Sequence, residues 1–199
     1  DYSESQTFKI IRWVENTLIK SGVFSVPGKK KLYDLDKEAV ILMDVTESPI
    51  ERPQKKQRRF YSGKKKRHTL KTQLVVNKTS RKIMAVEVRA GKTHDFRIFK
   101  ESGVHILTTN KVIADSGYQG LQKIHANTQL PKKKSKKQKL TKSDKAANRE
   151  LASTRVMNEH VNGLLKRSRI LAEKYRNRRK RFGLRVNLLA GIYNFELDN

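Results

Sequence analysis

The chain has 199 residues, the length of one ordinary domain and enough to bury a hydrophobic core. Its 46 lysines and arginines against 19 acidic residues give a formal net charge of +27, which indicates a polyanionic partner. Nucleic acid is the leading candidate, and an acidic membrane surface is the second. Because there is no cysteine, disulfides, thiolate metal sites and thiol nucleophiles are excluded, and any metal must bind to oxygen or imidazole.

No apolar stretch approaches the roughly 20 residues of a membrane-spanning helix, and no signal-like segment opens the chain. We therefore expect a soluble protein that acts inside the cell and has no membrane partner.

The positive charge is concentrated in two blocks. Residues 52–71 contain ten lysines and arginines and no acidic residue. The second block, residues 132–181, contains the basic runs Lys132, Lys133, Lys134, Lys136, Lys137, Arg178, Arg179, Lys180 and Arg181. A single run of this kind is also typical of a solvated surface. Two blocks that flank apolar segments favour a groove along a phosphate backbone, and because few aromatic residues interrupt them, duplex DNA is favoured over a single strand.

The N-terminal segment predicts one amphipathic helix. Within residues 5–20, apolar side chains recur at helical spacing, and Ser3 or Ser5 can serve as the N-cap. The Pro27–Gly28 pair and the lysines that follow predict a linker over residues 25–37. The main domain is expected over residues 38–199.

The main domain alternates short strands and helices. Residues 39–43 form an apolar run typical of a buried strand that ends at Asp44, and residues 111–114 predict a second strand that ends at Asp115. Residues 69–76 and 83–88 predict an antiparallel hairpin, and residues 95–101 a short helix. These elements predict a mixed α/β domain with a central sheet flanked by helices.

Two helices close the predicted domain. Thr141 and Asp144 have the spacing of a capping box, which opens a long helix reaching about residue 167. Residues 186–195 predict a final helix.

Three carboxylates occupy positions that suit catalysis. Asp44 and Asp115 each follow a predicted core strand, where ligands bind in open α/β sheets, although an aspartate there also commonly caps a turn. Glu159 lies in the long helix, with Arg155 about 40° and Lys166 about 20° around the axis from it. An ordinary surface helix with a favourable Glu–Lys pair would show the same spacing. Carboxylates without cysteine suit Mg²⁺ or Mn²⁺, and two such ions can promote phosphodiester cleavage.

Ordered motifs of the chain resemble the DDE transposases of bacterial insertion sequences, above all the group founded on insertion sequence five. They are residues 44–53 (DVTESPIERP), 61–69 (YSGKKKRHT), 91–95 (GKTHD), 115–120 (DSGYQG) and 155–160 (RVMNEH), followed by Lys166. The resemblance implies a ribonuclease-H-like catalytic domain with Asp44, Asp115 and Glu159 as catalytic triad and ligands of two Mg²⁺ or Mn²⁺ ions. It also implies double-stranded DNA as partner, in a bacterial cytoplasm at the nucleoid, and a homodimer that holds two element ends.

The resemblance and the basic blocks together identify candidate DNA contacts. These are Lys64, Lys65, Lys66, Arg67, His68, Arg155 and Lys166. His68 is also compatible with a plain role at the start of a strand.

The sequence departs from the family at two places. Ala152 stands where the family has a tyrosine, three residues before Arg155. Residues 1–24 resemble the last helix of the family's helix-turn-helix region without the preceding helices, so we expect an N-terminally truncated copy.

Five further residues have open roles. His94 and Asp95 brace the active-site face or bind metal, unless Asp95 simply begins a helix. His160 is expected to contact DNA or support a ligand, and Glu47 to orient its loop. Tyr118 either packs beneath Asp115 or contacts DNA.

The leading functional prediction is DNA transposition, by metal-dependent hydrolysis at the element ends followed by strand transfer to target DNA. The alternatives are a catalytically inactive or domesticated DNA-binding protein derived from a transposase, and a nuclease of the same fold that does not join ends.

Overall fold

The structure, a computed structural model, describes residues 2–134 and 139–199. These residues contain six α-helices and six strands. In chain order they are α1 (Glu4–Lys20), β1 (Val40–Pro49), α2 (Gln57–Phe60), β2 (Tyr61–Ser62), β3 (Arg67–Asn77), β4 (Ile83–Ala90), α3 (Asp95–Ser102), β5 (Lys111–Ala114), β6 (Thr128–Gln129), α4 (Lys142–Leu165), α5 (Arg169–Ala172) and α6 (Phe182–Asp198). Short 3-10 helices occur at Lys29–Leu32, Ser116–Tyr118 and Leu121–Lys123.

One mixed sheet organises the domain. Its order is β4-β3-β1-β5-β6, and the short β2 pairs with the start of β3. Strand β3 is antiparallel to both of its long neighbours, β1 and β4, whereas β5 runs parallel to β1 and β6 parallel to β5. The predicted hairpin and the predicted second strand are thus confirmed.

The prediction that the first strand ends at Asp44 is wrong. Strand β1 continues to Pro49 because the polar segment after Asp44 pairs residue by residue with β3, with Val45 opposite Gln73 and Ser48 opposite Leu70. Asp44 therefore lies inside β1, with strand residues both before and after it in the chain. Asp115, as predicted, follows directly after β5.

Alternate residues of β1 serve two hydrophobic cores, one on each face of the sheet. Leu42 packs in the core that includes Val161 of α4 and Val186 of α6. Ile41 and Met43 pack in the other core, together with Leu32, Phe99, Val112 and Tyr118. Helices thus cover both faces of the sheet, and the segments of β1 and β5 that position the two aspartates lie between the two layers.

The helix termini follow the sequence signals. Ser3 caps α1 in a capping box with Gln6, and Thr141 caps α4 in a capping box with Asp144, as the spacing predicts. Helix α6 is longer than predicted at both ends.

The N-terminal segments pack against the sheet domain. Glu15 of α1 is buried between Arg181, at 2.6 Å, and Arg185, at 2.5 Å. Within the segment predicted as a linker, Leu32 is fully buried and Lys29 forms an ion pair with Glu87 at 2.9 Å. Among the described residues, no helix is long and apolar enough to cross a membrane.

Candidate active site

Asp44 of β1 and Asp115, which directly follows the parallel strand β5, lie side by side. Met43 of β1 is in register with Ala114 of β5, so each aspartate is one residue beyond that pair. Asp115 caps the 3-10 helix that follows, and its Oδ1 accepts a hydrogen bond from the Gly117 amide at 2.7 Å. The two carboxylates thus border one cleft at the centre of the sheet.

The cleft has a volume of about 380 Å³ and a mixture of acidic and basic walls. It is lined by Asp44, Val45, Glu47, Tyr61, Ser62, Gly63, Lys64, Lys71, Gly91, Lys92, His94, Asp95, Asp115 and Arg155. Carboxylates bind divalent metal ions, and lysine and arginine side chains bind phosphates. The lining of the cleft therefore suits a phosphodiester backbone that reacts at bound metal ions.

Asp44 carries the most perturbed carboxyl group of the site. The pKa of Asp44 is raised to about 6, mainly by burial and also by the nearby Asp115 and Asp95, against the opposing effects of the Val45 amide and Arg155. The side-chain amide of Asn162 donates a hydrogen bond to Asp44 Oδ2 at 2.9 Å. The negative form of Asp44 is therefore costly in the protein alone and would gain from a bound cation.

Asp95 is a further carboxylate of the cleft. It occupies the first turn of α3, as its helix-starting role predicts, and forms an ion pair with Lys71 at 2.7 Å. A Cβ atom at Gly117 would overlap Asp95 Oδ2 and lie 2.9 Å from Asp115 Oδ1. Gly117 thus allows Asp95 and Asp115 to approach each other.

Helix α4 presents amides and an arginine, rather than Glu159, to the cleft. Arg155 lines the cleft and Asn162 binds Asp44, whereas the side chain of Glu159 is exposed and is absent from the cleft lining within the described residues. Asn158 is 1% exposed, and both polar atoms of its side chain lack a hydrogen-bond partner among those residues. The structure therefore brings Asp44, Asp115 and Arg155 together and leaves Glu159 on the outer flank of the helix.

The donors of the cleft suit a hard divalent cation. Asp44 and Asp115 supply adjacent carboxylate oxygens, which Mg²⁺ and Mn²⁺ prefer, and the raised pKa of Asp44 shows that its carboxylate is desolvated by burial. Across residues 2–134 and 139–199, no cluster of three or more histidine or acidic side chains has metal-binding proximity.

The residues with open roles are now located. Tyr118 is fully buried and donates a hydrogen bond to Gln73 Oε1 at 3.2 Å, so it packs beneath the site rather than contacting DNA. His94 is the N-cap residue of α3 and lines the cleft. Glu47 accepts a hydrogen bond from Thr69 Oγ1 at 2.8 Å, and His160 is exposed.

The predicted DNA contacts surround the cleft. Lys64, Lys65 and Lys66 are exposed on the turn between β2 and β3, Arg67 is exposed at the start of β3, and Lys64 also lines the cleft. The pKa of Lys166 is lowered from its ordinary value, because partial burial and the neighbouring Lys65 outweigh the opposing effects of Asp44 and Glu47. His68 is half-buried and stacks edge-on against Tyr61. Lys136 and Lys137 of the second block lie outside the described residues.

Three residues of the site were not predicted from the sequence: Lys71, Gly117 and Asn162. Lys71 lies in a strand 24 residues before its partner Asp95, so only the folded sheet brings them together. The pattern DSG after a strand was a usable signal for Gly117, whereas Asn162 has no local signature.

Comparisons with known proteins identify the family of the chain. The family model described as "DDE superfamily endonuclease" matches residues 43–194. A relative from Microchaete diplosiphon, named "Probable transposase for insertion sequence element IS702", is 53% identical over 196 residues, which cover 98% of this chain and 71% of the relative. No solved structure matched. Proteins of this family are nucleases that act on DNA with divalent metal ions, and the chain belongs to it as a DDE-type insertion-sequence transposase.

Proposed function

We propose that the protein hydrolyses the phosphodiester at the ends of an insertion sequence. The freed 3′-hydroxyl then attacks a phosphodiester of target DNA, which joins the element end to the target and releases a 3′-hydroxyl of the target strand. The observation that carries this proposal is the pair of adjacent carboxylates, Asp44 and Asp115, at the centre of a cleft with cationic walls. The similarity to a transposase of an insertion sequence supports the element end as the substrate.

Asp44 and Asp115 are the proposed ligands of Mg²⁺ or Mn²⁺, with Glu159 as the third member of the triad. When bound, two such ions activate the attacking oxygen and neutralise the charge that develops on the phosphate. Glu159 lies about 60° around the α4 axis from Asn162, which contacts Asp44, so a rotation of α4 would turn Glu159 toward the cleft. The exposed position of Glu159 makes this rotation a requirement of the proposed triad.

The cations of the cleft would position the DNA. Arg155, Lys64 and Lys92 line the cleft, and we assign them to phosphate oxygens on either side of the scissile bond. Lys65, Lys66, Arg67, His68 and Lys166 would extend this contact along the duplex. Because such binding releases counterions, DNA affinity should fall steeply as the salt concentration rises.

The fold that we propose for residues 38–199 is ribonuclease-H-like. Three antiparallel strands followed by two strands parallel to the first support this proposal. Residues 1–24 are proposed to belong to a helix-turn-helix region, with residues 25–37 connecting it to the catalytic domain. A homodimer at the bacterial nucleoid would hold two element ends together.

The exposed Glu159 also favours a second candidate, a DNA-binding protein without catalysis. Both candidates predict salt-sensitive DNA binding, so catalysis separates them. The same fold without end joining would act as a simple nuclease.

A cleavage and joining assay tests the proposal. Purified protein is incubated with labelled duplexes that carry the ends of the relative's element, with a target plasmid, and with or without Mg²⁺ or Mn²⁺. We expect metal-dependent nicks at the element ends and joined products, both absent with Asp44→Asn. Nicks without joined products would indicate a nuclease, and binding without nicks would favour the non-catalytic candidate.

A further inference from the structure

A second cavity adjoins the catalytic cleft. It has a volume of about 710 Å³ and is lined by Arg52, Gln57, Arg58, Tyr61, Gly63, His68 and Lys92. Tyr61, Gly63 and Lys92 also line the cleft that contains Asp44 and Asp115, so the two spaces are adjacent and share these residues as a common wall. A DNA strand in the cleft would therefore pass beside the second cavity.

An aromatic pair forms one wall of this cavity. Tyr61 of β2 pairs with His68 of β3, and their ring centroids are 5.6 Å apart at an interplanar angle of 73°. Tyr61 remains 42% exposed although its strand is anchored in the sheet. A rigid, exposed aromatic face of this kind can stack against a planar ring.

Cations form the rim. Arg58 and Lys92 are exposed, and the Nε of Arg52 donates a hydrogen bond to Gln57 Oε1 at 3.0 Å, which fixes the guanidinium at the edge of the cavity. The occupant should therefore combine a flat apolar ring with flanking negative charge. The cavity volume lies within the range of roughly 300–1,000 Å³ that is usual for small-ligand sites.

We propose that this cavity binds one unstacked base of the DNA whose backbone lies in the catalytic cleft, an inference that rests on the proposed function. The base stacks on Tyr61 beside His68, and the phosphates on either side contact Arg58 and Lys92. Gly63 provides the passage between the two spaces, since a Cβ atom at this position would meet no protein atom within 4 Å. The site fixes the register of the strand at the carboxylates by capturing a base that has left the duplex.

Binding of bulged duplexes tests this inference. One duplex carries a single unpaired 2-aminopurine, and the matched duplex carries an abasic residue in the same bulge, so the two have the same phosphates and differ only in the base. The wild-type chain should bind the 2-aminopurine duplex about tenfold more tightly, in line with the strength of base–aromatic stacking. The fluorescence of 2-aminopurine should also fall on binding.

Variants assign the preference to the cavity. Tyr61→Ala should bind both duplexes equally, whereas Tyr61→Phe, which keeps the ring, should retain the preference. Gly63→Leu should abolish the preference by placing a bulky side chain in the passage, at a position where the added Cβ meets no protein atom. Tyr33→Ala is the matched control, because Tyr33 is similarly exposed, at 49%, and lies outside the cavity lining.

The outcomes separate this inference from the proposed function. Equal binding of the two duplexes by the wild-type chain, or a preference that survives in Tyr61→Ala, would overturn the base site even if the protein cuts DNA. Either result would favour a protein partner as the occupant of the cavity. A preference that depends on Tyr61 would establish the base site even if no cleavage is observed.

Discussion

The side-chain amide of Asn162 joins the C-terminal part of α4 to Asp44 in the centre of β1 through a hydrogen bond of 2.9 Å. Its Nδ2 donates to Asp44 Oδ2, while its Oδ1 is buried without a hydrogen-bond partner among the described residues. Asn162 therefore fixes the orientation of one proposed metal ligand and sets the distance between α4 and the sheet.

Asn162→Ala should weaken Mn²⁺ binding about tenfold, because groups that orient a metal ligand typically contribute a factor of about 10–100 to affinity. Titration of the protein with Mn²⁺, followed by electron paramagnetic resonance, measures this effect. Asn187→Ala is the control, since Asn187 bonds within its own helix to the Gly183 carbonyl. Unchanged Mn²⁺ affinity in Asn162→Ala would remove this residue from the site.

Asp44 should make the metal-free protein less stable as the pH rises. Its pKa is raised from 3.8 to about 6, so the fold favours the protonated form. The stabilisation is fully present below about pH 4 and is lost as the pH rises through about 6, a change of about 3 kcal/mol in the free energy of unfolding. Urea unfolding with a chelator should show this loss in the wild type relative to Asp44→Asn. Parallel pH profiles of the two proteins would contradict the assignment.

Gly117→Ala should force Asp95 and Asp115 apart, since the added Cβ would overlap Asp95 Oδ2. Overpacking of this kind costs about 1–3 kcal/mol, and we expect both a lower melting temperature and weaker Mn²⁺ binding. Gly163→Ala is the matched control in α4, where a Cβ meets no atom and should stabilise the helix by about 0.5–1 kcal/mol. Normal Mn²⁺ affinity in Gly117→Ala would show that the spacing of these carboxylates is not critical.

Glu15→Ala should detach α1 from α6. The substitution leaves Arg181 and Arg185 without their shared carboxylate partner, and breaking such a buried pair costs about 3–5 kcal/mol. Urea unfolding measures the change, and limited proteolysis should cut near α1 first. Glu4→Ala, at the exposed start of the same helix, serves as the control and should have little effect. Equal stability of the two variants would mean that α1 contributes nothing through Glu15.

Local patterns were sufficient to predict most elements. A serine N-cap identified the start of α1, a capping box identified the start of α4, and β-branched residues identified the hairpin of β3 and β4. The extension of β1 beyond Asp44 was not predictable, because Val45–Pro49 is polar and becomes a strand only through its pairing with β3. The length of β1 therefore depends on its tertiary contacts and not on local sequence preference.

The orientation of α4 is the second point that the sequence leaves open. Helical spacing puts Arg155, Glu159 and Lys166 on one side, but a rotation of a few tens of degrees decides which of them faces the sheet. Asn158 and Asn162 face inward in the structure, although asparagine gives no hydrophobic signal for burial. The position of Glu159 therefore depends on packing that no local pattern encodes.

The most direct test of the proposed catalytic triad is the metal-dependent nicking of element-end DNA by three variants, Asp44→Asn, Asp115→Asn and Glu159→Gln. Glu150→Gln, an exposed glutamate of the same helix, is the control and should cleave normally. We expect all three variants to lose cleavage while they keep salt-sensitive DNA binding. Wild-type cleavage by Glu159→Gln would contradict the triad and leave Asp44 and Asp115 to act without Glu159.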